Sequence, residues 1–167
     1  MASIHSPGVV AVDLTFTAGQ CHNVVKVSAT GLNLPDPACT PGSIDPAVSS
    51  ENIHVTICTP GYAKTIRPPA ENTGKYKHLS LTDYALAYSS TIEYDHLVSL
   101  ELGGANAISS LWPEPNTSTA HTVNNPKDEV ENVLKKAVCA GRVSLSAAQI
   151  AIATDWTTAE SVTGSGE

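Results

Sequence analysis

Positive charge is scarce in this chain of 167 residues: nine Lys and Arg stand against sixteen Asp and Glu, a formal net charge of −7. That excludes the broad basic surface by which proteins coat nucleic acid indiscriminately. Aromatic residues make up only 5%, so a core has to be assembled mainly from Val, Ile, Leu and Ala. Long apolar runs are missing. The stretch 147–153, interrupted by Gln149, falls far short of the roughly 20 residues that a bilayer span requires, so no membrane span is expected. No C-x-x-C pair is present, which removes a zinc ribbon. No Gly-x-Ser-x-Gly elbow occurs and no cysteine sits in an activating context, so a Ser or Cys hydrolase has little support. Internal repeats and heptads are absent. Residues 1–12 lack the basic segment and the apolar length of a signal peptide, and the chain reads as a mature form with an added Met.

What is there suits one domain with a buried core: 41% hydrophobic and 15% charged residues, too apolar for extended disorder. Four dispersed cysteines, Cys21, Cys39, Cys58 and Cys139, two of them in turn-rich stretches, fit two disulfides in an exported protein, secreted or periplasmic. Four cysteines allow three connectivities. The expected one joins Cys58 to Cys139 and Cys21 to Cys39.

Alternating apolar residues at 10–16 and 24–27 suggest two short strands or a hairpin. Residues 30–50, dense in Pro, Gly, Asp and Ser, read as a connector. The strict alternation at 53–58 predicts a strand. Residues 64–77 carry four of the nine basic side chains, Lys64, Arg67, Lys75 and Lys77, against the single acid Glu71. On an acidic protein this is a local concentration of positive charge, to be read either as a functional patch or as a solvated loop, and a short helix follows over 80–88. The apolar segment 91–102, the Gly103-Gly104 pair and the segment 108–112 predict a hairpin. Asn125 caps a helix in which Pro126 takes the first position, acids fill the first turn, and Val130, Val133, Leu134, Ala137 and Val138 form one stripe ending at Gly141. A second helix runs from Ser144 or Ser146 to Trp156, and a polar tail follows. Trp112 and Trp156, each ending an apolar segment, read as core anchors.

A hairpin followed by a helix can place a carboxylate and a helix amide or imidazole around one divalent cation, while a strand histidine takes a proton from water. The words carrying this are Glu93-Tyr94-Asp95-His96, then Leu100 to Gly104, then Leu111-Trp112-Pro113-Glu114, then Asn124-Asn125-Pro126-Lys127-Asp128. This arrangement resembles HNH-type (ββα-metal) endonucleases, and specifically a group of small, often exported bacterial HNH-like proteins. Further matching words are Cys39 to Gly42, Thr56 to Cys58, Arg67-Pro68, Lys127 to Asn132, Val138 to Gly141, Ala148 to Ala153 and Asp155-Trp156, so the likeness spans residues 34–157.

The resemblance implies an α+β fold: a ββα-metal hairpin-helix core at 34–157, an N-terminal β region and linker at 1–33, a C-terminal helix, and a flexible polar tail at 158–167. It implies a metal-dependent endonuclease with His96 as general base and Asp95 as metal ligand. Asn125, with Asn124 close behind, would be the second ligand, and Glu131 would act through water. The cofactor would be a divalent cation, Mg²⁺ ahead of Mn²⁺ or Zn²⁺. The partner would be nucleic acid, DNA ahead of RNA, bound by a monomer through Lys64, Arg67, Lys75, Lys77 and Lys127. Ser110 stands where the HNH signature has its middle Asn. The alternative is a catalytically silent ββα-metal domain serving as an exported binding or structural module.

Overall fold

The computed structural model describes residues 1–27, 32–116 and 125–166. Its strands are β1 (Ala2–Ser3), β2 (Val24–Val27), β3 (Leu32–Leu34), β4 (Ser43–Ile44), β5 (Ile92–His96) and β6 (Leu111–Pro115). Its helices are α1 (Tyr62–Ile66), α2 (Ala70–Asp83), α3 (Pro126–Cys139), α4 (Leu145–Asp155) and α5 (Ala159–Thr163). β1 runs parallel to β4, β2 pairs antiparallel with β3, and β5 pairs antiparallel with β6.

The β5–β6 hairpin and α3 make the ββα-metal-like core expected from the sequence. Between the strands, residues 97–110 are packed inside the protein, with Leu97, Val98, Leu100, Leu102, Ala105 and Ala107 buried. The Gly-Gly pair permits this. Gly103, at φ 75°, ends the 3-10 turn Leu100–Leu102, and a Cβ on Gly104 would lie 1.7 Å from the Val98 carbonyl oxygen. Helix α3 starts where the Asn125 side chain accepts from the Asp128 N–H and Pro126 takes the first position. Its Val130, Leu134 and Val138 enter the main core with Val48, Ile57, Val98, Leu102, Ile152 and Trp156. Trp112 centres a second cluster with Cys21, Cys39, Tyr84 and Leu97. The disulfides are Cys21–Cys39 and Cys58–Cys139, and they imply an oxidising environment.

Several local expectations are corrected. Residues 53–58 are a 3-10 turn (Ile53–Val55) with Val55 75% exposed. Here the Asn52 side chain accepts from Ser49 N–H and donates to the Ala47 carbonyl, and the Thr56 hydroxyl donates to the Asn52 carbonyl. Such local side-chain bonds outcompete a strand that has no neighbouring ladder. Residues 10–16 form a single bridge, Ala11 to Ala107, because Val10 and Ala11 donate instead to Asn72 and Asn106. β2 therefore finds its partner in β3, inside the stretch taken as a connector. The basic stretch 64–77 is largely helical, and α2 ends near the point where a helix was expected to begin, its pattern hidden by Gly74. The polar tail contains α5, whose Ala159 is buried in the main core.

Two glycine substitutions separate these effects. Gly104→Ala should prevent native folding, leaving no cooperative thermal transition. Gly74→Ala, in mid-helix with nothing within 4 Å of the new Cβ, should stabilise by about 0.5–1 kcal/mol and raise Tm by roughly 2–4 °C per kcal/mol. A Tm unchanged or lowered in Gly74→Ala would contradict that helix.

Candidate metal centre

Successive strand residues point to opposite faces, so Glu93 and Asp95 share the side of β5 that meets α3. The antiparallel register places Glu114 opposite Glu93 and Trp112 opposite Asp95. The first turns of α3 add Asn125, Lys127, Asp128 and Glu131. Carboxylate oxygens of Glu93, Asp95 and Asp128 lie within 4.8 Å of one another, a candidate metal-binding cluster. Beside it Lys127, 0% exposed, has its Nζ 2.9 Å from Asp95 Oδ2 and 2.5 Å from Glu131 Oε1, and donates to the His96 carbonyl at 2.8 Å. Trp112 Nε1 donates to the same Asp95 oxygen at 3.0 Å. Asn125 Nδ2 donates to Glu93 Oε2 at 2.7 Å, and Asn116 Nδ2 reaches it at 3.3 Å.

Five carboxylates, Glu93, Asp95, Glu114, Asp128 and Glu131, thus surround one buried ammonium. Burial raises the pKa of every one of them, and their mutual repulsion adds to it. Asp95 is pushed up to about 6, with Lys127 opposing the shift. Burial alone would push the Lys127 ammonium down, but Asp95, Glu131 and Glu114 hold it well above its usual value. Glu114 is 2% exposed, and neither carboxylate oxygen has a hydrogen-bond partner among the described residues. A buried, unpaired carboxylate demands a proton or a cation. With oxygen donors throughout and negative charge in excess, the cluster fits a hard divalent cation of the Mg²⁺ or Mn²⁺ kind better than Zn²⁺, which favours nitrogen and sulfur.

His96 lies on the other side of β5. It is 7% exposed, its Nε2 is 2.8 Å from Asn106 Oδ1, and burial with the Arg67 and Lys127 charges lowers its pKa to about 4 against the raising effect of the Asn106 bond. Asp95 and His96 are therefore adjacent in sequence and divided in space. Asn125 lies at the cluster, its carbonyl oxygen engaged in the helix cap and its amide nitrogen on Glu93. Asn124 falls outside the described residues. Glu131 is held by Lys127. Lys127 itself needs correction: expected on the substrate surface, it is an internal counter-ion, because three oxygens satisfy it at a depth that no phosphate reaches. Lys64, Arg67 and Lys75 are exposed. Lys77 is tied into the fold, donating to the Ile92 carbonyl at 2.8 Å and lying over the Tyr88 ring. Ser110 is buried, with its carbonyl accepting from Leu97 N–H in an extension of the hairpin ladder.

The sequence alone assigns no site role to Glu93, Glu114, Asp128 or Asn106. The i, i+2 spacing of Glu93 and Asp95 on a strand was a usable signal. Glu114 required the register, and Asn106 lies in a loop whose path no periodicity reports.

A carboxyl whose folded pKa is raised favours the fold while protonated. Its contribution is complete below the ordinary value near 4 and is lost as pH rises through the folded value, about 6 for Asp95. His96 has the opposite sign, contributing above its ordinary 6.5 and losing this as pH falls toward about 4. Five groups outweigh one. In EDTA, Tm should therefore fall as pH rises from about 4 through about 6, and millimolar Mn²⁺ or Mg²⁺ should restore it at neutral pH; a cation-insensitive Tm would remove the metal centre. Lys127→Met leaves buried carboxylates uncompensated and should cost about 3–5 kcal/mol, read by urea denaturation at pH 7.

Compared with known proteins, the chain matches no family model, no curated protein and no solved structure.

Proposed function

We propose that the chain is a metal-dependent endonuclease of the HNH-like, ββα-metal type, exported to the periplasm or beyond, acting as a monomer on phosphodiester bonds of nucleic acid, DNA ahead of RNA. The observation that carries this is a hard-cation donor set, Glu93, Asp95 and Asp128, at a hairpin-helix junction whose first strand also bears a buried imidazole, His96. The likeness behind the proposal covers 34–157, while Ala159 of α5 and Ser6 of the N-terminal segment pack onto the same body. A cation held by those carboxylates, Mg²⁺ by preference, would supply Lewis acidity and neutralise charge on a phosphate. The chain's own residues do the rest. His96, held neutral by its surroundings, accepts a proton from the attacking water. Lys127 keeps Asp95 and Glu131 in place and donates to the backbone at His96. Arg67, exposed and close enough for its charge to lower the His96 pKa, grips a phosphate through two N–H groups, with Lys64 and Lys75 adding charge.

A second reading, a catalytically silent ββα-metal domain acting as a binding or structural module, is favoured by one observation: His96 is nearly buried and faces away from the acidic cluster. Plasmid nicking with Mg²⁺ or Mn²⁺ against an EDTA control decides between them. Cation-dependent nicking supports the nuclease, whereas cation-dependent thermal stabilisation without nicking supports the silent domain. In the nuclease, His96→Ala should lower the rate by about 10²–10⁴-fold while the cation-induced Tm shift survives, and Asp95→Asn should diminish that shift. Arg67→Glu should raise KM and reduce the log–log salt slope by about 0.7–0.9 for each phosphate that is no longer neutralised. Undiminished nicking by His96→Ala would sink the assignment of the base.

A further inference from the structure

Asn106 connects three parts of the molecule through one amide. It is 3% exposed and sits in the connection between β5 and β6. Its Nδ2 donates to the Ser6 carbonyl at 3.0 Å and to the Ile66 carbonyl at 2.8 Å, and its Oδ1 lies 2.8 Å from His96 Nε2. Backbone carbonyls only accept, so the amide can face them only with its NH₂ group; the flipped orientation would set oxygen against two oxygens. With the NH₂ group so committed, Oδ1 has to accept. The atom it meets, His96 Nε2, has to donate. A neutral imidazole carries one N–H, which leaves the His96 lone pair on Nδ1. Nδ1 makes no hydrogen bond to any described residue.

We propose that Asn106 is a positioning residue that holds His96 as the Nε2–H tautomer, so that a proton taken from water by His96 arrives at Nδ1. The catalytic part rests on the nuclease reading above; the tautomer does not. The clamp is assembled from distant sequence: the N-terminal segment supplies Ser6, the end of α1 supplies Ile66. Ala11 also donates its N–H to the Asn106 carbonyl and accepts from Ile108, which fastens the N-terminal segment along the same loop. An imidazole free to choose its tautomer would present a lone pair at Nδ1 only part of the time and could rotate about its side-chain torsions. The clamp removes both freedoms.

The test has two arms. Long-range ¹H–¹⁵N correlation spectra of the uniformly labelled full chain at pH 7 should show His96 with a protonated Nε2 and a bare Nδ1; an Nδ1–H form, or comparable amounts of both, overturns the proposal. Nicking kinetics then test positioning. Asn106→Leu should lower kcat by one to two orders of magnitude with KM within twofold of wild type, and its His96 signal should shift toward mixed tautomers. Asn106→Gln keeps both the NH₂ donor and the carbonyl acceptor and should recover part of the lost kcat. Equal kcat in wild type and Asn106→Leu overturns the positioning role. If Asn106→Leu fails to fold, the wild-type spectrum and the Gln variant still decide: a Gln variant that folds, shows mixed tautomers and keeps wild-type kcat overturns it. A wild type that does not nick but shows the expected tautomer refutes the nuclease reading and the catalytic part of the proposal, and leaves the Asn106–His96 clamp standing. A wild type that nicks with the wrong tautomer refutes the clamp alone.

Discussion

The arrangement of this protein depends on one buried ammonium. Lys127 Nζ meets Asp95 and His96 of the hairpin and Glu131 of its own helix, and it holds strand to helix where apolar contacts alone would let them slide. Taking a lysine fully out of water is costly, and only a dense set of acceptors offsets that cost. The same acceptors carry more negative charge than one lysine can neutralise. The residue that secures the hairpin therefore leaves a surplus that protons or a cation must balance, and structural and chemical roles converge on the same few atoms.

That surplus has a direction. The acidic face of β5 looks toward α3, while His96 on the opposite face looks toward Asn106 and the neighbourhood of Arg67. A strand two residues wide in side-chain period divides a negative compartment from a compartment with a neutral base and an arginine. A cation would be drawn to the first, away from the positive charge of the second. The short hairpin keeps them apart by little more than the thickness of a backbone.

Much of the fold was legible because local signals agreed. The helix cap at Asn125, Pro126 and the apolar stripe of α3 all point the same way, and the Gly103-Gly104 pair marks a connection that only glycine permits at its tightest point. The fold was illegible where tertiary contacts overrode pattern. Residues 53–58 have the alternation of a strand, but Asn52 captures the backbone locally and Cys58 is drawn to Cys139. α2 contains a glycine and little amphipathic order, so its helix is invisible until it packs against β6. At the site, Asp95 and the helix start could be read from motifs, whereas the inward turn of Lys127 and the orphaned Glu114 follow from register and depth, which no linear spacing encodes.

The Cys58–Cys139 bridge encloses every residue named in the acidic cluster together with His96 and Asn106. A covalent ring of this length restricts the unfolded chain by roughly 4–5 kcal/mol on the loop-closure account. It also sets an order of events. In synthesis from N-terminus to C-terminus, the ring cannot close until Cys139 is present, at the end of the helix that supplies Asp128 and Glu131. Once it is closed, a single peptide-bond cut anywhere between the two cysteines leaves both pieces tethered, and the halves of the centre can still find each other.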